Sequence, residues 1–282
     1  MKFYRYYLKA NRRLLLYCLG IMLSIDLLIF AADMSNAGID GYLTPILISL
    51  GLTITTMLLL IAVILRKAKK DKPFLELYDK KGPCPETIQM YINMHPKPRV
   101  IDYVSIAAYY NAAGDVDNAD RFIATAGKCV MVEIRTRAYY VQVLLSIRIR
   151  QRRFQEAAVI FNNYNSMMTT FCKSNPGPVA LDHYAHAALM YAMSGNINAA
   201  LEAIGLMERS IRRDRQLAFT RNTALMAVYL IGGDLRRADD LKEMIIKDVR
   251  EFDGFLFESN RDVVLRDIQV MQELFDPRMK QQ

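Results

Sequence analysis

Two long apolar runs begin the chain, and a helical pattern of apolar positions follows them. The runs cover residues 14–34 and 43–65, and each is long enough for a helix to cross a hydrocarbon core of about 30 Å. From Val100 onward apolar residues recur at spacings of three and four, the period of an amphipathic helix rather than a strand. The pattern predicts an all-α protein, with an N-terminal two-helix transmembrane hairpin before a helical domain at residues 100–282.

Charges around the apolar runs predict the side of the membrane on which the chain lies. Ten basic and four acidic residues leave a charge of +6 on residues 1–72, so residues 73–282 carry only +2 of the total of +8. Because the basic residues lie in segments 1–13 and 66–72 and the loop 35–41 has none, the positive-inside rule predicts a multi-pass protein with both termini cytoplasmic. A cleaved signal peptide is the alternative for the first run, but no A-x-A site follows it.

Residues 66–99 are expected to form a juxtamembrane linker. The basic stretch at its start is followed by a short amphipathic helix over residues 74–81, predicted to lie against the membrane surface. Gly82-Pro83-Cys84-Pro85 would end any helix that leaves the membrane. A short helix over residues 86–94 is then expected.

Glycines mark the turns between helices in the domain that follows. Gly114, Gly195 and Gly233 each follow an apolar helical run, and glycine permits the positive backbone dihedral that ends a helix. An alanine stands five residues later in each case, and a fourth turn at Arg152 keeps this alanine without the glycine. The turns predict four helical hairpins and a closing helix with a polar outer face: residues 100–113 with 117–128, 134–151 with 155–171, 179–194 with 198–213, 217–231 with 235–252, and 260–275.

These turn residues resemble the tetratricopeptide repeat, a helix-turn-helix unit of about 34 residues. The second copy has Arg148 and Arg152 where the family has a tyrosine and a glycine, and the steps of 38, 43 and 38 residues between turn alanines exceed the family norm. The resemblance covers residues 100–252 and implies an α-superhelical (α-solenoid) domain. The residues that carry it are Ala107, Tyr110, Gly114, Ala119 and Ala126; Phe154, Ala157 and Phe161; Ala188, Tyr191, Gly195 and Ala200; Tyr229, Gly233 and Ala238.

The resemblance also implies a concave groove lined by the first helix of each hairpin. The lining is more apolar than charged and lacks the asparagine and lysine pattern that clamps a C-terminal carboxylate, so the expected ligand is an amphipathic helix or an extended apolar peptide. The alternative is that these side chains pack between repeats. The family pattern assigns to this groove Val104, Ala108, Asn111, Gln142, Arg150, Leu189, Met193, Thr223, Ala227 and Leu230.

Asp26 lies near the middle of the first apolar run, where a charged carboxylate is costly. Counting inward from the cytoplasmic ends of the two runs places it level with Thr53, with Ser49 and Thr56 one turn away. The expected membrane polar site is a protonated Asp26 hydrogen-bonded to Thr53. A proton relay or a subunit-pairing role is the alternative, although a single carboxylate makes a poor transport path.

Candidate catalytic and metal-binding residues are few. Asp182, His183 and His186 lie in the first turns of a predicted helix, yet no H-E-x-x-H pattern supplies further ligands. The cysteines lack C-x-x-C spacing, which favours reduced structural thiols, and no Walker loop, dinucleotide motif or G-x-S-x-G elbow is present. We therefore expect a protein that is not an enzyme and that has no metal and no cofactor.

Two arginine groups remain as candidate contact sites. Arg148, Arg150, Arg152 and Arg153 surround the second turn, and a further group lies at residues 209–215. Either group could contact anionic lipid or an acidic partner, or be a solvated helix face. Nucleic acid is not expected, since the domain is nearly neutral and has no nucleic-acid motif.

Together these features predict a membrane-tethered cytoplasmic scaffold that binds a protein or peptide through its groove. The alternative is an accessory subunit of a transport or signalling complex that acts through the transmembrane hairpin and its Asp26.

Overall fold

The computed structural model describes residues 11–34, 43–210, 215–250 and 258–280. These residues form twelve α-helices and one short 3-10 helix, Pro277–Lys280, without a strand, so the protein is all-α as predicted. The chain divides into two compact units, Met1–Glu76 and Leu77–Gln282. The helices are α1 (Arg12–Met34), α2 (Leu43–Lys81), α3 (Pro85–Met94), α4 (Val100–Ala112), α5 (Val116–Gly127), α6 (Ile134–Arg150), α7 (Phe154–Ser174), α8 (Pro178–Met193), α9 (Ile197–Ser210), α10 (Arg215–Gly232), α11 (Leu235–Arg250) and α12 (Glu258–Phe275).

The first unit contains α1 and most of α2. By length and composition, the stretch Ile48–Lys81 of α2 could cross a membrane, whereas α1 contributes a shorter apolar stretch, Leu15–Leu28. α2 continues through Pro73 without a break, although an interior proline removes one helical hydrogen bond and favours a kink. Residues 74–81 are helical as predicted, but they form the end of α2 rather than a short helix of their own.

Four helical hairpins form most of the second unit. Each pairs two consecutive helices: α4 with α5, α6 with α7, α8 with α9, and α10 with α11. The first helix of each hairpin also packs against the first helix of the next. This arrangement brings the first helices together along one side, and we call α4, α6, α8 and α10 the inner helices.

The four turns inside the hairpins share one backbone geometry. Gly114 and Gly195 have φ of +82°, Gly233 has +80°, and Arg152 has +59° at the turn without a glycine. In every turn the next amide donates to the carbonyl five residues before it, for example from Asp115 to the carbonyl oxygen of Tyr110. This hydrogen bond is the signature of the Schellman motif that ends a helix. The sequence-predicted turns are therefore present, and Arg152 adopts the conformation of the glycine that it replaces.

The turn alanines are buried where the second helix of each hairpin starts. Ala119, Ala157 and Ala200 have no exposed surface, and Ala238 is almost as buried. Because a methyl group takes little room, the paired helices approach closely at these points.

The closing helix α12 packs on the fourth hairpin and returns toward the turns of the first two. Its residue Ile268 is buried in the core of α10 and α11. At the other hairpins, Val263 is the nearest side chain to Gly114, and Phe275 has its ring centroid 5.8 Å from that of Phe154. The helix is therefore more than an end cap, since it contacts residues far back along the chain.

Candidate functional site

A cavity of about 400 Å³ lies between inner helices α6, α8 and α10 and the closing helix. Apolar side chains dominate its wall, and polar groups come from α6 and the turn after it, α8, α10 and α12. Ligand sites in proteins are typically apolar cavities of about 300–1,000 Å³ with a few convergent polar groups. Its wall consists of Ser146, Ile149, Arg150, Arg152, Phe154, Ala185, His186, Leu189, Phe219, Thr220, Thr223, Ala224, Ala227, Asp267, Val270, Met271, Leu274 and Phe275.

Arg150 and Asp267 form an ion pair in the cavity wall. Nη2 and Nε of Arg150 donate to Oδ2 of Asp267 over 2.6 and 3.2 Å. The third nitrogen, Nη1, is buried and has no hydrogen-bond partner among the described residues. A buried donor without a partner is costly, so this nitrogen could bind a ligand acceptor.

His186 is fixed by a hydrogen bond from the neighbouring inner helix. Nε2 of Gln142 lies 2.6 Å from Nδ1 of His186. With the side-chain amide of Gln142 in this orientation, its nitrogen donates to Nδ1, and the ring proton of His186 then lies on Nε2. Burial, with smaller contributions from His183 and Arg150, lowers the pKa of His186 to about 3. The imidazole is therefore neutral at physiological pH and carries a donor at Nε2.

Several residues predicted for the groove do reach this cavity. Arg150, Leu189, Thr223 and Ala227 line it. Gln142 holds His186 from behind, and in the same way Nδ2 of Asn111 donates to Oγ of Ser146 over 2.9 Å. Four of the residues predicted for the groove therefore lie in a wall that is more apolar than charged.

The other residues predicted for the groove lie elsewhere. Val104 and Leu230 are buried in hydrophobic cores with 0% and 2% exposure, so their assignment to a binding surface is wrong. Ala108 packs against the core of the first two hairpins. Met193 is exposed but lies outside the cavity wall. The physical reason is that inner helices are apolar on more than one face, since each packs against both its own hairpin partner and the neighbouring hairpins.

Sequence reasoning missed His186 and the closing helix as parts of the site. Ser146, Phe219 and Asp267 were missed with them. His186 stands three residues before Leu189, which is one helical turn, so a complete reading of that helix face would have included it. Nothing local to α12 indicates that Asp267 meets Arg150, because the two residues are 117 positions apart.

The arginines of the second turn are paired within the chain. Arg148 contacts Asp120 over 2.6 Å and Glu156 over 3.3 Å. Arg152 lies 3.6 Å from Glu273, and Arg153 also contacts Glu156. Each arginine of this group therefore has a carboxylate partner within the second unit. The arginine side chains of the second group, at residues 209–215, lie outside the described ones.

The acidic and histidine residues at the start of α8 do not converge. His183 is 2% exposed, lies 3.4 Å from Oγ1 of Thr169 through Nε2, and has its pKa lowered to about 4 by burial. Asp182 is exposed to water, and the surrounding protein raises its pKa. Within the described ranges, no group of three or more His, Cys, Asp or Glu residues could hold a metal ion.

In the first unit, Asp26 accepts hydrogen bonds from two hydroxyl groups of α2. Thr53 donates to Oδ2 over 2.9 Å, which is the pairing that counting inward along the two runs predicts. Ser49 donates to Oδ1. Both carboxylate oxygens are therefore satisfied by side chains of the neighbouring helix.

Comparison of the chain with protein-family models, with curated proteins and with solved structures gave no match.

Proposed function

We propose that this protein is a membrane-tethered scaffold that binds a segment of a partner protein in the cavity between its inner helices and α12. In this proposal α1 and α2 form a transmembrane hairpin, and a tetratricopeptide-like domain lies in the cytoplasm beside the bilayer. The observation that carries the proposal is the cavity itself, with its mainly apolar wall and a donor on Arg150 that has no partner among the described residues. Tethering would raise the local concentration of a bound partner at the membrane.

Photo-crosslinking in intact membranes tests the binding role. A photoreactive amino acid placed at Thr220, in the cavity wall, should capture a partner, whereas the same group at the exposed Val159 of α7 should not. Leu189→Asp should abolish the capture, because a carboxylate in an apolar wall opposes burial of an apolar segment. Val159→Asp is the matched control. Capture that is equal at both positions, or unaffected by Leu189→Asp, would contradict the proposal.

The topology is tested separately by protease protection in sealed vesicles. The proposal requires that residues 77–282 are cleaved only when the cytoplasmic face is outside. If residues 77–282 are protected from the protease in vesicles whose cytoplasmic face is outside, the domain does not lie in the cytoplasm and the proposed topology is contradicted.

In the scaffold proposal Asp26 has a structural role, supported by its two hydroxyl donors from α2. The alternative function, through the transmembrane hairpin, predicts that the carboxylate itself acts. Asp26→Asn keeps an oxygen that can accept a hydrogen bond but removes the ionisable group. Loss of cellular activity with normal capture at the cavity would favour the alternative, whereas retained activity would favour the scaffold.

A further inference from the structure

We propose that the cavity recognises a neutral amide carbonyl next to an apolar side chain, as the main chain of an extended peptide presents it. This inference rests on the proposed function and names the chemistry of the partner at the same site.

Two donors in the cavity wall have unused hydrogen-bonding capacity, whereas the unpartnered acceptors Oδ1 of Asn111 and Oε1 of Gln142 belong to residues outside the wall. Nη1 of Arg150 is buried without a partner among the described residues. With the Gln142 amide nitrogen donating to Nδ1 of His186, as it is oriented in the structure, the ring has a second donor at Nε2. Both residues belong to the cavity wall. A ligand that supplies an acceptor would satisfy them, whereas a ligand with only donor groups would not.

The charges around these donors favour a neutral acceptor over a carboxylate. Asp267 already offsets the charge of Arg150 at a distance of 2.6 Å, and His186 is neutral because burial lowers its pKa to about 3. Glu273 lies 3.6 Å from Arg152, the other arginine in the wall. A ligand carboxylate would lose its hydration in an apolar cavity and approach Asp267, which is a like charge.

The same donors favour an extended segment over a helix. Main-chain carbonyls inside a helix are already bonded to amides four residues later, so a helical ligand would have only its last turn free. An extended segment presents a free carbonyl between successive side chains. Its side chain would contact the apolar wall formed by Leu189, Phe219 and Met271.

Binding of matched small probes to the full chain in lipid nanodiscs tests this chemistry. Three probes share a phenylpropyl body: 3-phenylpropanamide, 3-phenylpropanoate and 3-phenylpropylamine. Ligand-detected NMR titration, with empty nanodiscs as the blank, gives each affinity. We expect the amide to bind at least about tenfold more tightly than either charged probe. The amide can accept a hydrogen bond from the cavity donors, and it does not have to bring a charge out of water. Equal or tighter binding of the carboxylate would overturn the inference in favour of an anion site.

A capped tetrapeptide with leucine and phenylalanine at its centre tests whether the source of the carbonyl is a peptide. It should bind more tightly than the amide probe, because it adds a second side chain and further carbonyls. Binding of the amide without binding of the tetrapeptide would assign the cavity to a small molecule and overturn the inference. Binding of neither probe would overturn it as well.

Variants of the two donors identify the contacts. Arg150→Lys keeps a positive charge beside Asp267 but lacks the third nitrogen, and His186→Phe keeps a ring without the donor. Each should weaken the amide probe and the tetrapeptide about fivefold to tenfold, the range expected for one hydrogen bond. Arg221→Lys, in a pair with Glu208 outside the cavity wall, should change neither affinity. Unchanged binding in both cavity variants would contradict the assigned donors.

Two further measurements separate this inference from the proposed function. Nitrogen-15 spectra of the histidines should show His186 as the Nε2–H tautomer, and an Nδ1–H tautomer would overturn the assigned donor. Partner capture at Thr220 in membranes, combined with donor variants that bind all probes like the wild type, would leave the scaffold standing and refute the inference. Binding of the tetrapeptide without any captured partner would refute the scaffold instead.

Discussion

Nη2 of Arg150 and Oδ2 of Asp267 lie 2.6 Å apart although the two residues are separated by 117 positions. The pair joins the end of inner helix α6 to the closing helix. It thereby links α12 to the turn at Arg152, the turn that has no glycine. The arginines at this turn have a definite structural role, since α12 supplies carboxylates to two of them.

Asp267→Asn is expected to destabilise the second unit by about 1 kcal/mol, because it leaves a half-buried guanidinium without its charged partner. The value is modest since the two side chains are 22% and 38% exposed and water screens the pair. For a unit of this size the midpoint of thermal unfolding should fall by about 2–4 °C. Hydrogen exchange of the α12 amides should accelerate more than that of α8.

Glu273→Gln is the matched control for that prediction. It alters a second link between α12 and the same turn, but the Arg152 pair is longer, at 3.6 Å, and more exposed. A surface pair of this kind contributes about 0–1 kcal/mol. An effect of Glu273→Gln larger than that of Asp267→Asn would contradict the assigned role of the Arg150 pair.

Gly114→Ala should destabilise the protein more than Gly195→Ala. Both glycines have φ of +82°, so an alanine at either position costs about 1–2 kcal/mol through backbone strain. Only at Gly114 would the new methyl group meet a neighbour, Cγ2 of Val263 at 3.1 Å, whereas nothing lies within 4 Å of the corresponding point at Gly195. Overpacking of this kind adds about 1–3 kcal/mol.

Thermal unfolding of the two variants measures the difference between the glycines. Because the backbone strain is common to both variants, the additional loss of stability in Gly114→Ala measures how closely α12 packs against the turn at Gly114. Equal losses of stability would show that α12 is not packed there in solution.

Arg152→Gly should be more stable than Arg152→Ala by about 0.5–1 kcal/mol. Both changes remove the ion pair with Glu273, and only glycine relieves the positive φ of 59°. The strain of about 1–2 kcal/mol is partly offset because glycine gives the unfolded chain more conformational freedom. Urea unfolding of the two variants, with the second-unit signal followed by circular dichroism, measures the difference. A more stable alanine variant would contradict the proposed strain.

Local patterns were sufficient for the helices and turns but not for the closing contacts. The turn at Gly195 and the burial of Ala200 follow from spacing alone, since a Schellman turn involves only neighbours in sequence. The Asp26–Thr53 pair could also be predicted, because counting inward from Leu14 and Leu65 places the two residues at the same depth along the two runs. The position of α12 depends on packing between residues more than 100 positions apart, which helical periodicity does not encode.

The same physical limit explains the mixed result for the groove. Leu189 and Leu230 have the same chemical character, yet one lines the cavity and the other is in the core. Periodicity places both on apolar faces of inner helices. It does not decide which apolar face another helix covers, because that depends on the stacking of successive hairpins.

The second unit should lose stability as the pH falls from 7 to 5.5, owing to two histidines of α8. Burial lowers the pKa of His183 to about 4 and that of His186 to about 3, from 6.5. Below the ordinary pKa the unfolded chain binds protons that the folded chain does not, so stability decreases as pH falls through this window. We expect a loss of about 1 kcal/mol for each histidine between pH 7 and pH 5.5.

Thermal unfolding at a series of pH values checks this prediction. Most carboxylates stay ionised above pH 5.5. Asp182 differs, because the surrounding protein raises its pKa to about 7. Its protonation favours the folded protein as the pH falls and offsets part of the loss caused by the histidines. The double variant His183→Gln, His186→Gln should be less stable than the wild type at pH 7, because the Phe161 packing of His183 is altered. Its stability should nevertheless depend less on pH. An equally steep dependence in the double variant would show that these histidines are already protonated in the folded protein or that other groups titrate.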